Sequence, residues 1–282
     1  MRVAAASVLM GLPLAPIYAQ EPSAKGVNFY PLEREIETGQ ETAARLARVL
    51  PVIHEPRIDA WLDGLAAELA RHADPRFAYS FTLYDDRKPL GLPGIGMAMP
   101  LDAFHGRATE PVALPGGPIL IPLSLLANSP GEAPFAFQLA HAMAHVALRH
   151  STRQATRQEI QSLATASLQN VSAAGNAILS SERLAMDASL FLFARRFELE
   201  ADTLATGILA EAGYHPETVI PYLQGQPPAD RTGVSRLFAA HPTTERREET
   251  VRAKLEALPE RRYRTPSGEF DAIKTLAASI LQ

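Results

Sequence analysis

The chain has no cysteine among its 282 residues, which excludes disulfide bonds and thiolate metal ligands. Any metal site must therefore use histidine and carboxylate side chains. It also lacks a run of lysine and arginine, and its formal net charge is −4, which argues against a surface that binds nucleic acid. A composition of 46% hydrophobic and 21% charged residues is that of an ordinary globular protein that can bury a core.

A long apolar run is also missing after the N-terminus, so no later segment is expected to span a bilayer. The N-terminus is typical of an export signal, because Arg2 precedes the apolar run Val3–Leu14 and residues 17–19 end in an alanine suited to cleavage. A buried first helix and an uncleaved anchor are the alternatives. We expect residues 1–19 to be a signal peptide and residues 20–282 to form one domain in the periplasm or outside the cell.

Hydrophobic periodicity predicts an α+β fold that is mostly helical, with a small sheet flanking a central helix. Residues 31–70 have helical periodicity with a proline-rich break, whereas residues 77–84 alternate as in a strand. The apolar stretch 112–126 predicts two short strands around a Gly-Gly turn. Helices are predicted further along at 129–150, 182–212, 216–223 and 242–258.

Local signals refine this prediction at three places. Ser129 can cap the central helix, with Pro130 in its first position and Glu132 completing a capping box. The stretch Ser151–Ser181 is rich in small polar residues, which indicates a looser segment and a plausible lid. Only a short tail follows Leu258, so we expect no helical-repeat docking domain.

The central helix contains the segment His141–Ala142–Met143–Ala144–His145. Two imidazoles four residues apart share one face, which is the spacing at which a helix supplies two zinc ligands. Because this helix is apolar nearly all round, imidazoles buried without partners would cost about 1–3 kcal/mol each, and a zinc ion would satisfy both. The alternative is a pair of core histidines that are hydrogen-bonded. The catalytic form of this pentad has a glutamate in second place, whereas Ala142 cannot accept a proton.

The helix at 182–212 offers a third ligand. Glu198 and Asp202 are four residues apart and share a face, whereas Glu200 lies about 200° from Glu198 and points away. We interpret Glu198 as a zinc ligand and Asp202 as the acceptor for the second ring N–H of a ligating histidine. The alternative is a solvated acidic face balanced by Arg195 and Arg196.

These residues, in this order, resemble the M48 zinc metallopeptidases, a family of the gluzincin group. Two further segments carry the resemblance, namely Ala113–Leu114–Pro115–Gly116–Gly117 before the central helix and the run from His241 to Arg247 after the second one. The similarity extends over roughly Val27 to Leu258. It implies one Zn²⁺ per chain, bound by His141, His145 and Glu198, with Asp202 in contact with a ligating histidine and not with the metal.

The resemblance also implies roles around the metal. Ala113 to Gly117 would form an edge strand that pairs with an extended peptide. His241 would approach the metal, either as an extra ligand or to stabilise the oxyanion, and Arg247 would orient that region or hold a carboxylate. For His241 the alternative is an ordinary turn residue before Pro242.

The function implied by the family is hydrolysis of unfolded or misassembled polypeptides, in which the glutamate takes a proton from the attacking water. Because Ala142 replaces that base, we expect a loss on the order of 10²–10⁴-fold or more and very low activity. A zinc-binding module that holds extended peptides without cleaving them is the main alternative, and a metal-free helical domain is another. Whether Ala142 is natural or engineered, and the oligomeric state, stay open.

The other histidines show no pattern of partners in the sequence. Arg149 and His150 end the central helix, where cationic side chains complement the helix dipole. We expect surface or turn positions, away from the site, for His54, His72, His105, His150 and His215.

Overall fold

The computed structural model describes residues 27–87, 110–169, 195–225, 243–265 and 268–282, and in these ranges the α+β prediction is confirmed. Its strands are β1 (Ser80–Tyr84), β2 (Val112–Ala113) and β3 (Pro118–Pro122). Its helices are α1 (Leu32–Leu46), α2 (Pro56–Ala70), α3 (Leu123–Asn128), α4 (Glu132–Ala147), α5 (His150–Gln169), α6 (helical over 195–211), α7 (Val219–Gln224), α8 (Thr244–Glu256) and α9 (Glu269–Ile280).

The three strands form one sheet in the order β1-β3-β2. β1 runs parallel to β3, with Ser80 opposite Pro118, and β2 runs antiparallel, with Val112 opposite Leu120. All of β3 is buried, as expected for a central strand. The predicted pair of strands around a Gly-Gly turn is confirmed. β1 begins three residues later than predicted, because the Phe77 N–H bonds to the Asp74 carbonyl in a turn.

Helix α4 lies in the middle of the fold, and its apolar circumference is buried on all sides. It shares one core with β3 and with helices on several sides, which contribute for example Leu62, Leu126, Leu209 and Ile273. Residues of α6 and α7 belong to this core as well. Of the helices in the described ranges, none combines the length and the apolar character that crossing a bilayer requires.

The start of α4 differs from the prediction. The helix begins at Glu132, with Gly131 as its N-cap residue and no capping side chain. Ser129 instead ends α3, and its hydroxyl donates to the Gly131 carbonyl. The Glu132 carboxylate accepts a hydrogen bond from the Tyr214 hydroxyl, so it is not free to close a capping box.

The segment predicted to be loose is helical as far as residue 169, as α5, and residues 170–181 lie outside the described ranges. The chain turns between α4 and α5 at Arg149, which has a left-handed φ of 57°. Thr152 and Thr156 of α5 are buried and bond to Asn28 and Phe29 of the N-terminal segment. A helix face that is buried through hydroxyl groups has no apolar periodicity, and so the sequence pattern did not reveal it.

The tail that follows α8 contains another helix, α9, which was not predicted. Phe270, Ile273 and Ala277 are buried in the main core. The Phe270 ring lies 5.6 Å from that of Trp61 and 6.1 Å from that of Phe135, measured between centroids. The C-terminal residues are therefore part of the structure that supports α4.

Helix α1 packs directly on the turn between β2 and β3. An added Cβ at Gly39 would lie 1.7 Å from the carbonyl oxygen of Pro115, and one at Gly116 would lie 2.4 Å from Cα of Ile36. Gly116 and Gly117 also have φ of 73° and 134°, which L side chains rarely adopt. Glycine at these positions lets a helix backbone rest on a turn backbone.

We predict that Gly39→Ala lowers the free energy of unfolding by about 1–3 kcal/mol, because the new methyl group meets backbone atoms that cannot move aside. Gly64→Ala in α2 is the matched control, since an added Cβ there meets nothing within 4 Å. The control should stabilise the protein by about 0.4–1 kcal/mol. Urea denaturation measures both changes, and equal effects would contradict the packing of α1 on the turn.

Candidate metal centre

The two histidines of α4 face the same side of the helix. Their Nε2 atoms lie 3.0 Å apart, and their ring centroids lie 4.7 Å apart. His141 is buried, and the side chain of His145 is 20% exposed. Two imidazole nitrogen atoms are thus held together at the edge of an apolar core.

Helix α6 brings Glu198 to the same point. One carboxylate oxygen lies 3.3 Å from His141 Nε2, and the other lies 3.4 Å from His145 Nε2. Among the described residues, these are the three metal-binding side chains whose potential ligand atoms all lie within 4.8 Å of one another. The structure therefore brings together the three residues that the sequence predicted as metal ligands.

The spacing of the three donors fits zinc. Ligand atoms bound at about 2.0–2.1 Å in a tetrahedron lie about 3.3 Å from one another. The two Nε2 atoms are 3.0 Å apart, and each has a different Glu198 oxygen nearby, Oε2 at 3.3 Å from His141 and Oε1 at 3.4 Å from His145. Two imidazole nitrogens and a carboxylate are also a donor set of catalytic zinc sites, which leave a fourth position for water or substrate. The three side chains are therefore close enough together to serve as ligands of one ion.

Asp202 lies one turn beyond Glu198, and its Oδ1 is 3.0 Å from His141 Nδ1. Its carboxylate is fully buried and accepts two hydrogen bonds from Arg247 of α8, at 2.7 and 2.8 Å. Burial raises the pKa of Asp202, but the bonds from Arg247 and the contact with His141 outweigh burial and hold it below its usual value. Arg247 also lies 3.8 Å from Glu110, just before β2.

His150 lies at the site as well, and the expectation of a surface or turn position for it is wrong. It is 3% exposed, and its Nδ1 is 3.1 Å from His145 Nδ1. Its Nε2 is 3.3 Å from Glu200 Oε2. Five residues separate the two histidines, which on one straight helix would place them on different faces. The left-handed residue Arg149 bends the chain between them. The one signal for this contact in the sequence is the i, i+4 pair of Arg196 and Glu200 on α6, which indicates a carboxylate held in place by an arginine.

Burial and nearby carboxylates shift the pKa values of the three histidines at the site. Burial lowers the pKa of His145 well below its ordinary value and also lowers that of His150. Burial acts in the same direction on His141, but the contacts with Asp202 and Glu198 outweigh it and raise the pKa to about 10. A proton on His141 would balance the charge of one carboxylate, and Arg247 balances that of the other.

Comparison with known proteins decides the family. The model described as "Peptidase family M48" matches residues 54–255. The chain belongs to peptidase family M48. Members of this family are zinc metallopeptidases, and the matched range contains the three donors of the site. α1 and α9 lie outside the match, although both pack on the matched core.

Curated relatives are similar at low identity. The putative beta-barrel assembly-enhancing protease of Vibrio cholerae is 27% identical over 192 residues, which are 65% of this chain and 36% of the relative. The beta-barrel assembly-enhancing proteases of Escherichia coli strain K12 and Shigella flexneri are 23% identical over 204 residues, or 68% of this chain and 37% of each relative. The chain therefore spans little more than a third of the length of these relatives.

The remaining predicted residues of the M48 site are placed as follows. Ala142 is 2% exposed and lies beside His141 on α4. Ala113 belongs to β2, which is an edge strand of two residues, whereas Leu114 to Gly117 form the turn under α1. Of the five residues predicted for the edge strand, only Ala113 lies in it, because Gly116 and Gly117, with left-handed φ, turn the chain. His241 lies outside the described residues.

We predict that Arg247→Ala destabilises the fold by about 3–5 kcal/mol, because it leaves the Asp202 carboxylate buried without its partner. Arg246→Ala is the matched control, since the neighbouring Arg246 pairs with Glu249 at the surface, where both side chains are 65% exposed. The control should lose much less. Urea unfolding of both variants measures the difference, and similar losses would show that the buried pair does not hold α8 to α6.

Proposed function

We propose that this chain has the site of an exported zinc-dependent endopeptidase of the M48 type, and that Ala142 keeps its activity very low. The observation that carries this proposal is the convergence of His141, His145 and Glu198 at separations of 3.0–3.4 Å. Asp202, anchored by Arg247, supports it from behind. One zinc ion per chain is proposed, with the three converging residues as ligands.

When bound, zinc supplies a Lewis acid that polarises a peptide carbonyl and makes water a stronger nucleophile. The chain's own residues hold the ligands in place for this purpose. Asp202 Oδ1, 3.0 Å from His141 Nδ1, would favour the ring proton on that nitrogen, which leaves Nε2 with a lone pair for the metal. Arg247 keeps Asp202 ionised. His241 is proposed as an additional ligand or as a donor to the oxyanion, on the strength of the family resemblance alone.

The proposed substrate is an unfolded or misassembled polypeptide in the cell envelope. An extended chain can add to the edge strand β2 through backbone hydrogen bonds, and such pairing selects for an unfolded backbone more than for a sequence. The export signal predicted at residues 1–19 supports a periplasmic or secreted location. The relatives' names refer to β-barrel assembly, which supports an envelope substrate.

The second candidate function is a zinc-binding module that holds extended peptides without cleaving them. Ala142 is the observation that favours it, because a methyl side chain cannot take the proton from water or deliver it to the leaving amine. The two candidates share the metal and the edge strand. They differ only in whether the bound peptide is then hydrolysed.

We predict that the purified chain binds about one zinc ion and that zinc at 100 times its dissociation constant stabilises the fold by about 2.7 kcal/mol. His145→Ala should lose most of the metal, because it removes a ligand. His54→Ala is the matched control, since the His54 side chain is 83% exposed. Elemental analysis and thermal unfolding with and without chelator measure these effects. Equal metal content in both variants would exclude the proposed centre.

We further predict that Ala142→Glu raises hydrolysis of an unfolded protein such as casein by about 10²–10⁴-fold, because it restores a base beside the ligands. Ala142→Gln has nearly the same size without the base and is the matched control for packing at this buried position. Zinc content and thermal unfolding of both variants establish that the site is intact. Full zinc occupancy without cleavage in Ala142→Glu would favour the peptide-holding function.

A further inference from the structure

His145 differs from His141 in what supports its second ring nitrogen. His141 Nδ1 faces the carboxylate of Asp202 directly, at 3.0 Å. His145 Nδ1 faces another imidazole, that of His150, at 3.1 Å, and His150 in turn faces Glu200 at 3.3 Å. A buried histidine is thus interposed between a proposed zinc ligand and a carboxylate.

Proton positions along this chain of contacts follow from the proposed function, on which the inference rests. A zinc ion on Nε2 of His145 leaves the ring proton on Nδ1. That N–H can only donate to His150 if His150 Nδ1 is an unprotonated acceptor. The proton of a neutral His150 is then on Nε2, where it donates to Glu200 Oε2. All three groups are satisfied by one direction of hydrogen bonding.

The far end of the chain of contacts is fixed by cations. Glu200 accepts hydrogen bonds from Arg153 of α5 at 3.2 Å and from Arg196 of α6 at 2.8 Å. The ring of His150 stacks on Phe197, with centroids 4.3 Å apart and planes at 11°. The ring plane and the acceptor for its Nε2–H are therefore both set before any metal arrives.

We propose that His150 is a positioning residue for the metal centre, in that its Nδ1 accepts the His145 ring N–H and Glu200 holds it in the required orientation. The interaction fixes the tautomer and the aim of His145, as Asp202 does for His141. It also links α5 and α6 through Glu200, so both helices set the direction of one ligand. His150 itself touches neither the metal nor a substrate.

Two substitutions separate hydrogen bonding from packing. His150→Asn places an acceptor oxygen at the δ position, the same number of bonds from the backbone as Nδ1, but it loses the ring. His150→Phe keeps a ring that stacks on Phe197 but has no acceptor. Zinc affinity is measured in the full chain by competition with a chromophoric chelator. The visible spectrum of the Co²⁺-loaded protein reports the ligand geometry.

We expect His150→Phe to weaken zinc binding about 10–100-fold and to change the Co²⁺ spectrum, and His150→Asn to retain most of the affinity and the spectrum. Equal losses in the two variants, no loss in His150→Phe, or a loss confined to His150→Asn would each overturn the proposal. Failure of the unsubstituted chain to bind zinc would instead remove the proposed function, and this inference with it.

A second pair of variants applies if His150→Phe does not fold. Glu200→Gln keeps the size of the anchor but removes its charge, and it should weaken zinc binding about tenfold. Glu211→Gln is the matched control on the same helix, because Glu211 pairs with Arg261 and has no contact with the ligands. An unchanged affinity in Glu200→Gln, or an equal change in the control, would contradict the proposed anchoring.

Discussion

The fold depends on the need to satisfy polar groups that are buried between apolar helices. α4 and α6 could pack through their aliphatic side chains alone, yet their contact includes two imidazoles and the carboxylates of Glu198 and Asp202. Such groups stabilise a core only when each has a partner of the correct charge. Arg247 on α8 provides that partner for Asp202. The position of α8 is thus set by the same requirement that shapes the metal centre.

The side chains that hold the two histidines come from several helices. The geometry of the site therefore does not depend on a glutamate at position 142. His141 is backed by α6 and α8, and His145 is backed by α5 and α6. None of these contacts involves the side chain at position 142. A glutamate there would act on water, whereas the ligands are held by other groups. In the proposed function, binding of the metal and chemistry at the metal are therefore separable, and Ala142 would affect only the second.

Much of the fold and of the candidate site could be predicted from residue spacing. Positions i and i+4 on a helix point in one direction whatever the helix packs against, so His141 with His145 and Glu198 with Asp202 were predictable as pairs. The Gly-Gly turn and the prolines between α1 and α2 were predictable for a similar reason, because they act on the local backbone. The buried polar face of α5 was not, because its partners are distant in the chain and it has no apolar periodicity. α9 was not predicted either, although Phe270, Ile273 and Ala277 recur at helical spacing.

The sequence by itself determined which residues share a helix face, the α+β class and the absence of a base at position 142, because these follow from local geometry and residue chemistry. Only the tertiary structure decided which faces meet. It placed Glu198 opposite the histidines and Arg247 behind Asp202, and the bend at Arg149 turned His150 towards His145. Contacts of this kind depend on the packing of helices that lie far apart in the chain. No spacing within a single segment encodes them.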